Sequence, residues 1–130
     1  MNLSSPEKQT LFRQGYELAN AGQWEAALQT YHQVFDYSAR DPHGALSVLD
    51  SNLIGLTEIY KADCLRMLGR LEEARQRLEH PVLLDCINRF SDLGGLYHYF
   101  LIFGHVLGMM GNLEEMDDKL GRALAIAPTN

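Results

Sequence analysis

The chain of 130 residues is 46% apolar and 22% charged, the proportions of one ordinary globular domain and not of a disordered tail. Eleven Lys+Arg against seventeen Asp+Glu leave a formal charge of −6, which argues against a nucleic-acid binder, since such proteins need a basic face. Two cysteines, Cys64 and Cys86, are too few for a disulfide scaffold and lack metal-ligand spacing, so no metal and no cofactor is expected.

The opening Met1-Asn2-Leu3-Ser4-Ser5-Pro6-Glu7 has neither a basic n-region nor an apolar h-region and is not read as a signal peptide. It reads as a helix start, with Ser5 as N-cap, Pro6 in the first helical position and Glu7 near the positive end of the dipole. Leu11, Gly15 and Leu18 then recur at spacings of three and four, predicting one amphipathic helix from Ser5 to Asn20 that Gly22 stops. A second helix is expected from Trp24 to about Ser38, with Ala27, Leu28, Tyr31, Val34 and Phe35 on its core stripe.

Asp41-Pro42 repeats the cap-plus-proline start and opens a long third helix to Leu68, stopped by Gly69. A short fourth, from Leu71 to about His80, is ended by Pro81. Residues 81–95 read as a connector that turns helical somewhere between Asp85 and Leu96, because Gly94-Gly95 would cost about 1 kcal/mol each inside a helix. The fifth helix, Leu96 to Met110, holds 15 residues and carries His98 and His105. A membrane span needs about 20 residues, so no membrane association is expected and the cytoplasm is the default compartment. A sixth helix runs from Leu113 to Ala127, before Pro128, and no segment alternates as a strand would.

The helix stops align. Gly22-Gln23-Trp24-Glu25, Gly69-Arg70-Leu71-Glu72 and Gly111-Asn112-Leu113-Glu114 share a glycine, a large apolar residue two later and then a glutamate. Leu18, Leu65 and Leu107 stand four before each glycine. The small Gly15, Ala62 and Gly104 stand seven before, and Tyr31, Leu78 and Leu120 nine after. In a helical hairpin the small residue admits the paired helix, the glycine turns the chain, and the glutamate suits the next helix N-terminus.

These residues resemble the tetratricopeptide repeat, three times over, across about residues 8–128, and the closing Ala123-Leu124-Ala125-Ile126-Ala127-Pro128 resembles that family's repeat ending. The repeats are expected at about 6–40, 42–80 and 86–128. The glycines are 47 and 42 residues apart, where the family's period is about 34. The first excess fits about three extra turns in the third helix. Pro81 stands where a small helical residue belongs, which shortens the middle copy, and Met116 replaces an alanine in the last.

The resemblance implies an all-α fold of three antiparallel hairpins in a right-handed superhelical array of about six helices. It also implies a non-catalytic adapter or scaffold that binds a protein or peptide partner along a concave groove formed by the first helix of each hairpin. That groove should carry Phe12, Arg13, Tyr16 and Asn20, then Tyr60, Asp63 and Arg66, then His98, Leu101 and His105. The family's carboxylate clamp for chaperone tails is missing, because Phe12, Tyr16, Tyr60, His98 and Ile102 stand at its basic and amide positions. No residue set suggests catalysis. The alternative is a structural homo-oligomer: the run Leu96 to Phe103 is apolar on all sides, and Tyr97, Tyr99, Phe100 and Phe103 are its candidate dimer interface.

Overall fold

The computed structural model describes residues 5–35, 48–88 and 93–126. These residues are helical with short turns and contain no strand. The elements are α1 (Ser5–Asn20), α2 (Trp24–Val34), α3 (Val48–Met67), α4 (Leu71–Leu78), α5 (Pro81–Asn88), α6 (Leu93–Met109) and α7 (Leu113–Ile126). None is long and apolar enough to cross a membrane.

Three hairpins, α1–α2, α3–α4 and α6–α7, share one turn. Gly22, Gly69 and Gly111 adopt φ of 78°, 79° and 83°, a left-handed conformation that costs a Cβ-bearing residue about 1–2 kcal/mol. Each turn closes with the same pair of bonds. The amide of the glycine donates to the carbonyl three residues back (Ala19, Arg66 and Gly108). The next amide donates five back, from Gln23 to Leu18, Arg70 to Leu65 and Asn112 to Leu107, at 2.9, 2.8 and 2.9 Å. The leucine shared by the three copies is therefore the acceptor that fixes each turn.

The small residue seven before each glycine sets the helix separation. A Cβ placed on Gly15 would stand 2.7 Å from the Tyr31 ring, and one on Gly104 would stand 2.6 Å from the Leu120 side chain. The register where the first two copies have Ala27 and Ala74 holds Met116 in the third, whose sulfur lies 2.7 Å from where a Gly108 Cβ would be. The larger residue on α7 is matched by a missing side chain on α6. Helices of different hairpins then pack as α2 on α3, α4 on α6, and α3 against both α1 and α6. One core of Leu28, Tyr31, Ile59, Leu65, Leu78, Tyr99, Val106 and Leu107 runs through all three hairpins.

The structure corrects several boundaries. There are seven helices among the described residues, not about six, because the expected connector opens with α5. Pro81 is not only a stop: it begins α5, where its missing N–H costs nothing. The His80 Nδ1 accepts the Val82 amide at 3.1 Å and so caps that helix. α5 straddles the expected start of the third repeat at residue 86. α6 begins at Leu93, so Gly94 and Gly95 lie in its first turn, with Gly95 buried. α2 ends at Val34 because Phe35 turns extended, with φ −159° and ψ 137°; the rest of the expected stretch to Ser38 lies outside the described residues. So does the expected start of the third helix at Pro42.

The long α3 has two consequences. Its N-terminal part packs on α5, where Phe35, Ile54 and Cys86 form a second small core with Val82 against it. Its middle carries a buried ionic network: Lys61 and Glu58, both 0% exposed, pair at 2.9 Å, and Arg77 of α4 reaches Glu58 at 3.2 Å. The Lys61 Nζ also donates to the carbonyl of Phe35, tying α3 to the end of α2.

His80 makes α5 sensitive to acid. Burial, with the Arg77 charge behind it, lowers its pKa from the usual 6.5. The unfolded chain therefore takes up this proton first, and the stability His80 contributes is complete above about pH 6.5 and declines as pH falls below it. Protonation also removes the Nδ1 acceptor. Thermal melts between pH 7.5 and 5 are expected to show a shallower decline for His80→Asn, which keeps a capping oxygen and does not titrate; identical slopes would contradict this.

Candidate functional site

α1 and α3 diverge over part of their length and leave a concavity of about 440 Å³, lined by Gln9, Phe12, Arg13, Tyr16, Leu53, Leu56 and Tyr60. Helical spacing explains the lining. Gln9, Phe12, Arg13 and Tyr16 fall three or four apart on one side of α1, and Leu53, Leu56 and Tyr60 do the same on α3. The separation arises because α1 touches α3 only lightly, while α2 packs on α3 from behind.

The floor is aromatic. Phe12 lies 5.6 Å from Tyr31 and 5.7 Å from Tyr60, between ring centroids. Tyr31 and Tyr60 stack at 6.3 Å, with planes 18° apart. Tyr16 meets Tyr60 edge-on at 6.0 Å, and His98 of α6 meets it from the other side at 5.9 Å. Tyr31 is fully buried, whereas Tyr16 is 45% exposed and forms the rim. Burial raises the Tyr60 phenol, and nearby Tyr16 and Asp63 raise it further, so it stays a protonated donor. The Tyr31 hydroxyl is buried without a hydrogen-bond partner among the described residues.

Further along α3, Asp63 and Arg66 pair at 2.8 Å, and an Arg66 nitrogen approaches the Met109 sulfur at 3.7 Å. Met67 and Met109 hold the same register before their glycines as Asn20 does, and both are exposed. The surface from Tyr16 to Met109 thus offers aromatic rings at one end and thioethers at the other. Methionine adapts its shape to what it meets, as promiscuous binding surfaces require.

The expected groove residues are brought together in part. Phe12, Arg13, Tyr16 and Tyr60 line the concavity, with His98 against its floor and Asp63 and Arg66 beyond it. Asn20 and His105 are exposed and Leu101 half-buried, and none of the three lines it. Gln9, Leu53 and Leu56 were missed, although Gln9 lies four residues from Arg13 and Leu56 and Leu53 lie four and seven from Tyr60, and helical phase alone could have found them.

Two of the four residues expected at a dimer face lie inside the chain. Tyr99 and Phe103 are buried within the chain, in mutual contact at 5.6 Å. The Tyr99 hydroxyl donates to the Leu78 carbonyl at 3.0 Å, and Lys119 covers the Phe103 ring at 5.0 Å. Tyr97 and Phe100 are half-buried, the latter beneath Arg122 at 5.8 Å. The reason is that α6 has three helical neighbours, α3, α4 and α7, which absorb most of its apolar circumference.

Among the described residues no three His, Cys, Asp or Glu side chains lie together so as to hold a metal ion. Cys64 and Cys86 are buried free thiols. Burial, then the charges of Asp63 and Glu25, push Cys64 up to about 12, which leaves it protonated and a poor nucleophile. The acidic run of α7 is exposed, with Glu115 bridged to Arg75 of α4 at 3.2 Å. No family model, no curated protein and no solved structure matches the chain.

Proposed function

We propose that the chain is a non-catalytic protein-interaction module of tetratricopeptide-repeat type, working in the cytoplasm as an adapter or scaffold that binds a peptide or helix along the face made by α1, α3 and α6. The order of packing supports this: each first helix lies beside the next first helix, and each second helix packs on the following hairpin, as in a right-handed repeat array. α5 is then an insertion between the second and third hairpins. The observation that carries the reading is the open aromatic concavity between α1 and α3, with Tyr16 half in solvent above Phe12 and Tyr60. Preordered helices lower the entropy cost of capturing a flexible segment, since only the ligand must be ordered.

Selection of a displayed random 16-residue peptide library on the protein tests it. Enriched peptides are expected to bind Tyr16→Ala at least about tenfold more weakly, the loss of one aromatic anchor of roughly 1.4 kcal/mol. Tyr16 is exposed enough that its removal leaves helix content unchanged. Binders indifferent to Tyr16→Ala would refute the reading.

A second reading, self-association, is favoured by α7, where Leu124 is 76% exposed and Leu113 60%. Leu124 stands at the register of Phe35, which α3 and α5 cover through Ile54 and Cys86. If two copies meet there, light scattering across a hundredfold dilution gives twice the chain mass for the wild type and the single mass for Leu124→Glu. A wild-type monomer throughout removes this reading.

A further inference from the structure

We infer that the segment the groove takes carries an acidic side chain beside its apolar anchor, and that Arg13 selects it. The inference rests on the groove reading above and adds the chemistry of the partner. Arg13 is the one charged residue among the seven that line the concavity. It is exposed and has no hydrogen-bond or ion-pair partner among the described residues.

Every other described arginine is engaged by a carboxylate of this chain. Arg66 pairs with Asp63, Arg70 with Glu73, Arg75 with Glu79 and Glu115, Arg77 with Glu58, and Arg122 with Asp118. In a chain with surplus acid, the one described arginine left unmatched stands at the mouth of its aromatic groove. A guanidinium there recognises a carboxylate by two parallel N–H bonds, with geometry as well as charge. Gln9, four residues earlier on the same side of α1, adds an amide suited to a peptide backbone. The rest of the lining, Phe12, Tyr16, Leu53, Leu56 and Tyr60, is mostly ring and aliphatic surface that suits an apolar side chain. The occupant that fits both is a peptide in which Asp or Glu lies within a turn of a Leu, Phe or Met anchor. A basic peptide would set its charge against Arg13, and a wholly apolar one would leave the cation facing uncharged groups.

The peptide selection described above, repeated on Arg13→Glu, tests this. Wild-type binders are expected to be enriched in Asp or Glu at a fixed offset from the anchor, and Arg13→Glu binders in Lys or Arg at that offset. Changing the acid to its amide should weaken binding to the wild type about fivefold and leave binding to Arg13→Gln unchanged. Peptides that need Tyr16 but show no acidic preference overturn the role of Arg13 and leave the groove standing. So does an acidic preference that persists in Arg13→Gln. Binders indifferent to Tyr16→Ala remove both readings.

Discussion

Lys61→Met is expected to be the most damaging single substitution on α3, lowering the unfolding free energy by about 3–5 kcal/mol, because removing one partner strands the other buried charge. Glu58 would lose its partner at 2.9 Å while Arg77 stays at 3.2 Å, and the Phe35 carbonyl would lose the ammonium that anchors the end of α2. Urea unfolding followed by far-UV circular dichroism measures the loss. The double variant Glu58→Leu with Lys61→Met should recover most of it, since a buried ion pair replaced by apolar side chains of similar volume is often neutral or stabilising. Arg77, 17% exposed, can then turn to water. A loss below about 1 kcal/mol for Lys61→Met would mean that the network is hydrated and contributes little.

Gly15→Ala is the second. Its Cβ would stand 2.7 Å from a Tyr31 ring that is fully buried and stacked on Tyr60, so the ring cannot swing aside and α1 must move. Overpacking of this kind costs about 1–3 kcal/mol, against a gain of about 1 kcal/mol from replacing glycine inside a helix. The middle hairpin shows the remedy, for Ala62 and Leu78 occupy the same two registers and both are buried. Gly15→Ala combined with Tyr31→Leu should therefore cost less than the two single changes added together, by about 1 kcal/mol or more in a double-mutant cycle. Strict additivity would show that the two residues do not set each other's size.

The groove was legible from sequence to the extent that helical phase could carry it. Phe12, Arg13, Tyr16 and Tyr60 follow from register with the glycines, and the structure places them around one concavity. Phase does not say which helices diverge. The concavity lies along Gln9 to Tyr16 of α1, and neither Asn20 nor His105 lines it. Nor does phase report neighbours, and the aromatic α6 shows the difference. Its apolar circumference invites a partner when read alone, but α7, α4 and α3 already surround it, taking Tyr99 and Phe103 inside.

The sequence by itself determined whatever depends on residues close together along the chain. Gly22, Gly69 and Gly111 specify the turns because positive φ is a local demand. Gly15 and Gly104 specify close pairing with Tyr31 and Leu120 because the hairpin fixes which residues face each other. The tertiary structure alone decided the rest. Glu58 and Lys61, three apart on a helix, look like a solvated surface pair until α2 and α4 close over them. Pro81 looks like a terminus until His80 and the second core turn it into the start of α5. Burial belongs to the assembled helices and not to any one segment, so it can reverse the meaning of a residue whose local conformation was read correctly.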